Sequence, residues 1–181
     1  MEFNEVSGTV LADIADCVRG VSADEVRVLV DMLAAKQKVF LIGTGRSGAM
    51  LRATAVRLGH LGVEAHLVGE PGCPAPQKGD LVLVGSGSGR TPAALERAER
   101  AHRSGAQIAV VTAAPTSPIA TLADAVVHIP APFEPEKRTP HTLRSLFEEC
   151  LLVVCDCVCR MLQERLGITT EEMQSRHSLE E

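Results

Sequence analysis

The chain has 181 residues, of which 45% are hydrophobic and 23% charged, a formal net charge of −5, and neither tryptophan nor tyrosine. That length suits one core, since domains typically hold roughly 100–200 residues, and the apolar share excludes a disordered chain. The acidic balance and the scarcity of aromatic rings argue against a nucleic-acid module, and no apolar stretch approaches the ~20 residues of a membrane span. The start, Met1-Glu2-Phe3-Asn4-Glu5, has neither the basic nor the apolar region of a signal peptide. The expectation is a cytoplasmic enzyme or binding domain whose cysteines are reduced thiols.

A single domain over residues 1–181 is expected, with a helical pair at 1–37, a sheet with helices at 38–166 and a tail at 167–181. Val6, Val10, Ile14, Cys17 and Val18 recur at spacings of three and four, which makes one apolar stripe on a first helix. Ser22 before Ala23-Asp24-Glu25 is an N-cap followed by first-turn acids, and a second helix runs to about Lys36. This pair covers a sheet or packs against another subunit. From Lys38 short apolar runs alternate with helices. The runs are Val39–Ile42, Val63–Val68, Leu81–Val84, Gln107–Val111 and Ala125–Ile129; the helices are Ser47–Leu61, Thr91–Arg103 and a short one at Pro118–Leu122. Strands alternating with helices predict βαβ units: an α/β fold with a parallel sheet and helices on both faces. Glu70 to Asp80 and Pro130 to Pro140 are proline-rich loops. Thr139-Pro140 is a start signal for a last helix that runs to about Leu166 and ends at Gly167. Its middle is apolar nearly all round, so it is buried or lies in an oligomer interface. The tail from Thr169 is polar.

Two strand-to-helix junctions carry similar loops. The first is Gly43-Thr44-Gly45-Arg46-Ser47-Gly48, the second Ser86-Gly87-Ser88-Gly89-Arg90-Thr91, with Pro92 fixing the next helix start. In an open parallel sheet both lie at the carboxyl edge, where ligands bind. Glycines let backbone approach an anion, and free N–H groups at a helix start favour a phosphate. Ser86, Ser88 and Thr91 add hydroxyl donors, which suit a terminal phosphate monoester. The first loop also matches the dinucleotide pattern G-x-G-x-x-G, with Glu70 roughly where an acid meets a ribose. No lysine follows the glycines, so this is not a Walker loop. The plain alternative is a pair of ordinary turns capped by Ser and Thr.

With these motifs the sequence resembles the sugar isomerase (SIS) domain family, and within it the 6-phospho-3-hexuloisomerase branch. Besides the two loops, the matching stretches are Arg57-Leu58-Gly59-His60-Leu61-Gly62, Val68-Gly69-Glu70, Gly79-Asp80-Leu81, Ser145-Leu146-Phe147-Glu148 and Arg176-His177-Ser178-Leu179-Glu180. The resemblance implies a flavodoxin-like three-layer αβα sandwich around a five-stranded parallel sheet. It implies a homotetramer or at least a dimer, with active sites near subunit boundaries. It implies a metal-free isomerisation of a sugar phosphate, without cofactor, between 3-hexulose 6-phosphate and fructose 6-phosphate. Phosphate binding is carried over to Ser47, Ser86, Gly87, Ser88 and Thr91. Glu148 matches the acid that moves the carbon-bound proton, and His60 the histidine of ring opening or proton shuttling. The resemblance covers nearly the whole chain but departs at Arg90, where relatives usually have Glu. Arg90 forms a bidentate phosphate contact, marks a different sugar phosphate such as arabinose 5-phosphate, or points to solvent.

The chemistry itself needs little: a base takes a proton beside the carbonyl, an enediolate forms, and the proton returns one carbon along. One carboxylate serves both steps if its surroundings push its pKa toward neutrality, and Glu148 lies in an apolar helix. Glu149 is about 100° further round, so at most one of the two faces the pocket. His60, at the end of its helix, sits where the dipole favours a cation. Gly45, Arg46 and His177 are the remaining substrate-contact candidates. A polar tail carrying His177 is ordered only if it docks, over a neighbour's pocket for instance. A non-catalytic module that senses a sugar phosphate would need the hydroxyl loop but not Glu148. Cys155, Cys157 and Cys159 have no zinc-like partners at metal spacing and read as small hydrophobes, with Cys73 the most exposed thiol.

Overall fold

Short β-branched and leucine-rich runs build one five-stranded sheet; β1, β3 and β4 each lead into a helix, whereas β2 leads through the proline-rich loop straight to β3. In a computed structural model the chain is described over residues 2–36, 38–132, 141–142 and 145–177. The helices are α1 (Phe3–Arg19), α2 (Ala23–Ala34), α3 (Gly45–His60), α4 (Pro92–Arg103), α5 (Pro118–Thr121), α6 (Leu146–Leu166) and α7 (Thr170–Ser175). The strands are β1 (Lys38–Ile42), β2 (Glu64–Leu67), β3 (Leu81–Gly85), β4 (Gln107–Thr112) and β5 (Ala125–His128). They lie in the order β2-β1-β3-β4-β5, every neighbour parallel.

The continuous apolar runs are explained by a sheet covered on both faces. Val39 and Leu41 of β1 enter one core with Leu51, Leu58, Leu151 and Val154. Phe40 and Ile42, alternating with them, enter a second core with Ala98, Ile108 and Ile119. The first core lies under α2, α3 and α6, with α1 against α6; the second lies under α4 and α5. This is the expected three-layer αβα sandwich. Side chains pin its edges: the Glu25 carboxylate of α2 accepts the His128 backbone N–H at 2.8 Å, and Asp124 accepts that of Ile108 at 2.8 Å.

The predicted N-cap holds, since Ser22 accepts from the Glu25 backbone N–H. α6 is buried along most of its length against α1, α2 and α3, leaving Val153, Cys157 and Met161 on its outer side. It begins at Leu146, and the start signal at Thr139-Pro140 lies outside the described residues, as do Ser178 to Glu180. One expectation is extended and one corrected. The tail contains a helix, α7, fixed by a capping box: Thr169 accepts the Glu172 N–H at 3.1 Å and Glu172 accepts the Thr169 N–H at 2.7 Å. Cys73 is half-buried because it packs against the second core, and Cys157 is the exposed thiol. All six cysteines are free.

Candidate active site

β1 and β3 are neighbours, but the chain leaves β1 for α3 on one face and β3 for α4 on the other. The two departing loops diverge and leave a crevice at the switch point. A cavity of about 510 Å³ fills it, lined by Gly45, Arg46 and Ser47 from the first loop, Ser86 to Ser88 and Thr91 from the second, and Glu148 of α6. The expected phosphate-contact residues and the expected base therefore meet in one place, joined by Thr44, Gly85 and Phe147.

The loop shapes follow from close contacts. A Cβ on Gly43 would stand 2.8 Å from the Gly48 Cα, so the first and last glycines of the G-x-G-x-x-G run face each other across the turn. Packing accounts for that pattern, and Glu70 is ion-paired with Arg52. In the second loop Gly89 has φ +58°, and a Cβ there would overlap the Ser117 hydroxyl. The Gly89 N–H is donated to the Ser86 hydroxyl at 3.2 Å and that of Arg90 to the Ser88 hydroxyl at 3.2 Å. Thr112 braces the loop from behind through the Gly87 carbonyl at 3.3 Å. A Cβ on Gly87 would lie 3.0 Å from the Phe147 ring, so this loop rests directly on the first turn of α6.

The electrostatics suit an anion. α3 starts at the cavity, where the first backbone N–H groups of a helix have no intrahelical partner and carry its positive end. α4 starts beside it with Pro92 in its first turn. Ser47 and Ser86 are buried, Ser88 and Thr91 half-buried. Arg46 adds a cation at the rim. Arg90 is exposed and its side chain does not line the cavity. Glu148 is half-buried, more open than its apolar helix suggests, because the loops leave a gap above the first turn. Glu149 turns away toward His141 and Ser145, as the helix geometry requires.

His60 and His177 lie elsewhere. They share the far end of α3, their rings stacked with centroids 4.9 Å apart, and Arg176 donates to the His60 carbonyl at 3.1 Å. Ser47 and His60 are 13 positions apart on one helix, so about 20 Å of axis separates them. Within one chain the structure brings Glu148 to the hydroxyl loops and keeps both histidines away. The sequence reading quoted Thr44 and Phe147 within its motifs but assigned neither to the cavity wall. Among the described residues no cluster of His, Cys, Asp and Glu is arranged to hold a metal. No described helix is long and apolar enough to cross a membrane.

Fold and crevice define an α/β protein with a hydroxyl-lined cavity beside a carboxylate at the switch point of its sheet. Within that class the chain belongs to the SIS domain family, whose profile matches residues 32–143. It is 41% identical to the 3-hexulose-6-phosphate isomerase of Mycobacterium gastri, over 92% of this chain and 85% of that protein. It is 33% identical to the 3-hexulose-6-phosphate isomerase of Bacillus subtilis, over 98% of each. A hypothetical protein of Methanococcus jannaschii, whose crystal structure infers a function of 3-hexulose-6-phosphate isomerase, superposes with a TM-score of 0.83 at 28% identity. That match covers 96% of this chain and 98% of the other.

Proposed function

We propose that this chain is a phosphosugar isomerase that interconverts 3-hexulose 6-phosphate and fructose 6-phosphate. The observation that carries the reading is the single cavity in which the hydroxyl loops and Glu148 meet. Ser47, Ser86, Ser88 and Thr91, with the N–H groups at the start of α3, hold the phosphate. Anchoring the substrate there places its carbon chain along the cavity toward Glu148. The Glu148 carboxylate takes the proton from C2 of the 3-ketose, giving the 2,3-enediolate. It returns that proton to C3 while the hydroxyl proton passes from O2 to O3, leaving the ketone at C2. His60, and His177 beside it, serve ring opening or the oxygen-to-oxygen proton transfer from a second copy of the chain. That role agrees with their distance from Glu148 in one chain and implies a homo-oligomer, a dimer or tetramer; its place is the cytoplasm, as for an enzyme of small phosphorylated sugars.

The test is NMR-monitored turnover of a panel of ketose and aldose phosphates without added metal. Conversion of 3-hexulose 6-phosphate to fructose 6-phosphate is expected. Activity on arabinose 5-phosphate with none on 3-hexulose 6-phosphate would transfer the reading to another substrate. Binding across the panel without turnover would make the chain a sensor module.

A further inference from the structure

Behind the cavity wall runs a series of ionisable groups that the isomerisation above does not use. The His141 side chain is 0% exposed, its Nδ1 hydrogen-bonded to Oε2 of Glu149 and its Nε2 3.3 Å from Oδ2 of Asp13 on α1. Ser145 donates its hydroxyl to the other Glu149 oxygen, Oε1, at 2.8 Å. That same Oε1 lies 3.8 Å from a guanidinium nitrogen of Arg46. The order is Asp13, His141, Glu149, Arg46: carboxylate, imidazole, carboxylate, guanidinium. It joins α1, the segment before α6, α6 and the first turn of α3, and only its last member lines the cavity.

We propose that Glu149 is a positioning residue that holds Arg46 over the anion cavity, with His141 and Ser145 clamping Glu149 and Asp13 bracing His141. The proposal rests on the anion-cavity reading given above. Arg46 has a side chain 59% exposed, and an arginine that open to solvent samples many rotamers unless something holds it. Glu149 is suited to that task because both its oxygens are engaged and its own rotamer is locked. The adjacent acids of α6 thus divide the work by helix geometry: Glu148 faces the cavity, and Glu149, about 100° round the axis, faces the clamp.

The experiment is a double-mutant cycle on Arg46 and Glu149, read by calorimetric binding of inorganic phosphate and by KM and kcat for the isomerisation. Positioning predicts that Glu149→Gln weakens phosphate roughly three- to tenfold, raises KM in parallel and keeps kcat within about twofold. It also predicts that Glu149→Gln adds nothing on an Arg46→Ala background. Charge alone predicts the opposite sign, because removing a negative group beside an anion tightens the anion. Tighter or unchanged phosphate, or additive losses in the double variant, overturns the proposal. If Glu149→Gln does not fold, Ser145→Ala removes one clamp. It should weaken phosphate about twofold and again add nothing to Arg46→Ala; unchanged phosphate there also overturns it. The two readings fail separately. A wild-type protein that binds phosphate but turns over no ketose phosphate removes the isomerase reading alone, and the cycle still decides the role of Glu149. A wild-type protein that turns over the ketose phosphate but binds no inorganic phosphate removes the role of Glu149 proposed here and leaves the isomerase reading standing.

Discussion

The two ends of α3 put the same helix to opposite uses. At its N-terminus, Gly45, Arg46 and Ser47 turn backbone donors, a hydroxyl and a cation into the cavity. At its C-terminus the chain closes on itself: Arg176 caps the His60 carbonyl, and His177 stacks on the His60 ring. A helix start attracts anions and a helix end attracts cations, so one rod yields a binding end and a self-capped end. The difference teaches that proximity in sequence to a site-bearing helix is not proximity to the site. Glu148, about 100 positions beyond Ser47 in sequence, shares its cavity, and His60, on the same helix, does not.

If both ends serve one reaction, they meet between copies of the chain. Glu148→Gln should lower kcat by a factor on the order of 10² to 10⁴, and His60→Asn should also lower it, each variant staying folded. Co-expressing the two should restore activity in mixed oligomers, since some sites then pair an intact Glu148 with an intact His60. Mixed oligomers verified by mass spectrometry but without recovered activity would assign the two ends separate roles. A smaller effect is expected at the self-capped end. Arg176→Ala removes a cation from the α3 C-terminus and should lower Tm by roughly 2–4 °C, about 1 kcal/mol for a chain of this size. Phosphate affinity should stay unchanged; weakened phosphate would show that the ends are coupled.

The smallest effect tests the α3–α6 contact that lies between the ends. Burial pushes the Cys155 and Cys159 thiols up to about 12. At pH 8 about one molecule in ten thousand then carries the thiolate, and the reactive form becomes appreciable only as pH rises toward that value. Iodoacetamide at pH 8 should label the exposed Cys157 first and leave Cys155 and Cys159 unlabelled, as peptide mass mapping would record. Early labelling of Cys155 or Cys159 in any variant would show that the α3–α6 contact had opened.

Most of the fold was legible because its signals are local. Val39–Ile42 ends in a glycine turn, Ser22 precedes two acids, and Pro92 follows Thr91; each marks an element boundary without help from the rest of the chain. Ser86, Ser88 and Thr91 were legible from their own glycine–hydroxyl loop, Glu148 only through resemblance, and the fold brings the four to one cavity. α7 carried a readable signal, Thr169 followed three residues later by Glu172, but a polar tail invites no search for a helix. The exposure of Cys157 over Cys73 depends on which thiol reaches a core, which spacing along a chain does not encode. The clamp on Glu149 was invisible for the same reason: Asp13 and His141 are 128 positions apart, and no periodicity links them.

The contact between Gly87 and the Phe147 ring has a consequence for how this fold can change. The hydroxyl loop reaches the turn bearing Glu148 through the Phe147 ring alone, with no side chain of its own between them. They form one gauge, its zero at the loop and its mark at the carboxylate. Swapping cavity-wall residues other than Phe147 alters what is held, but not the length measured. A chain of this family adapting to a longer or shorter substrate would have to shift its backbone, or move the mark to another turn of α6.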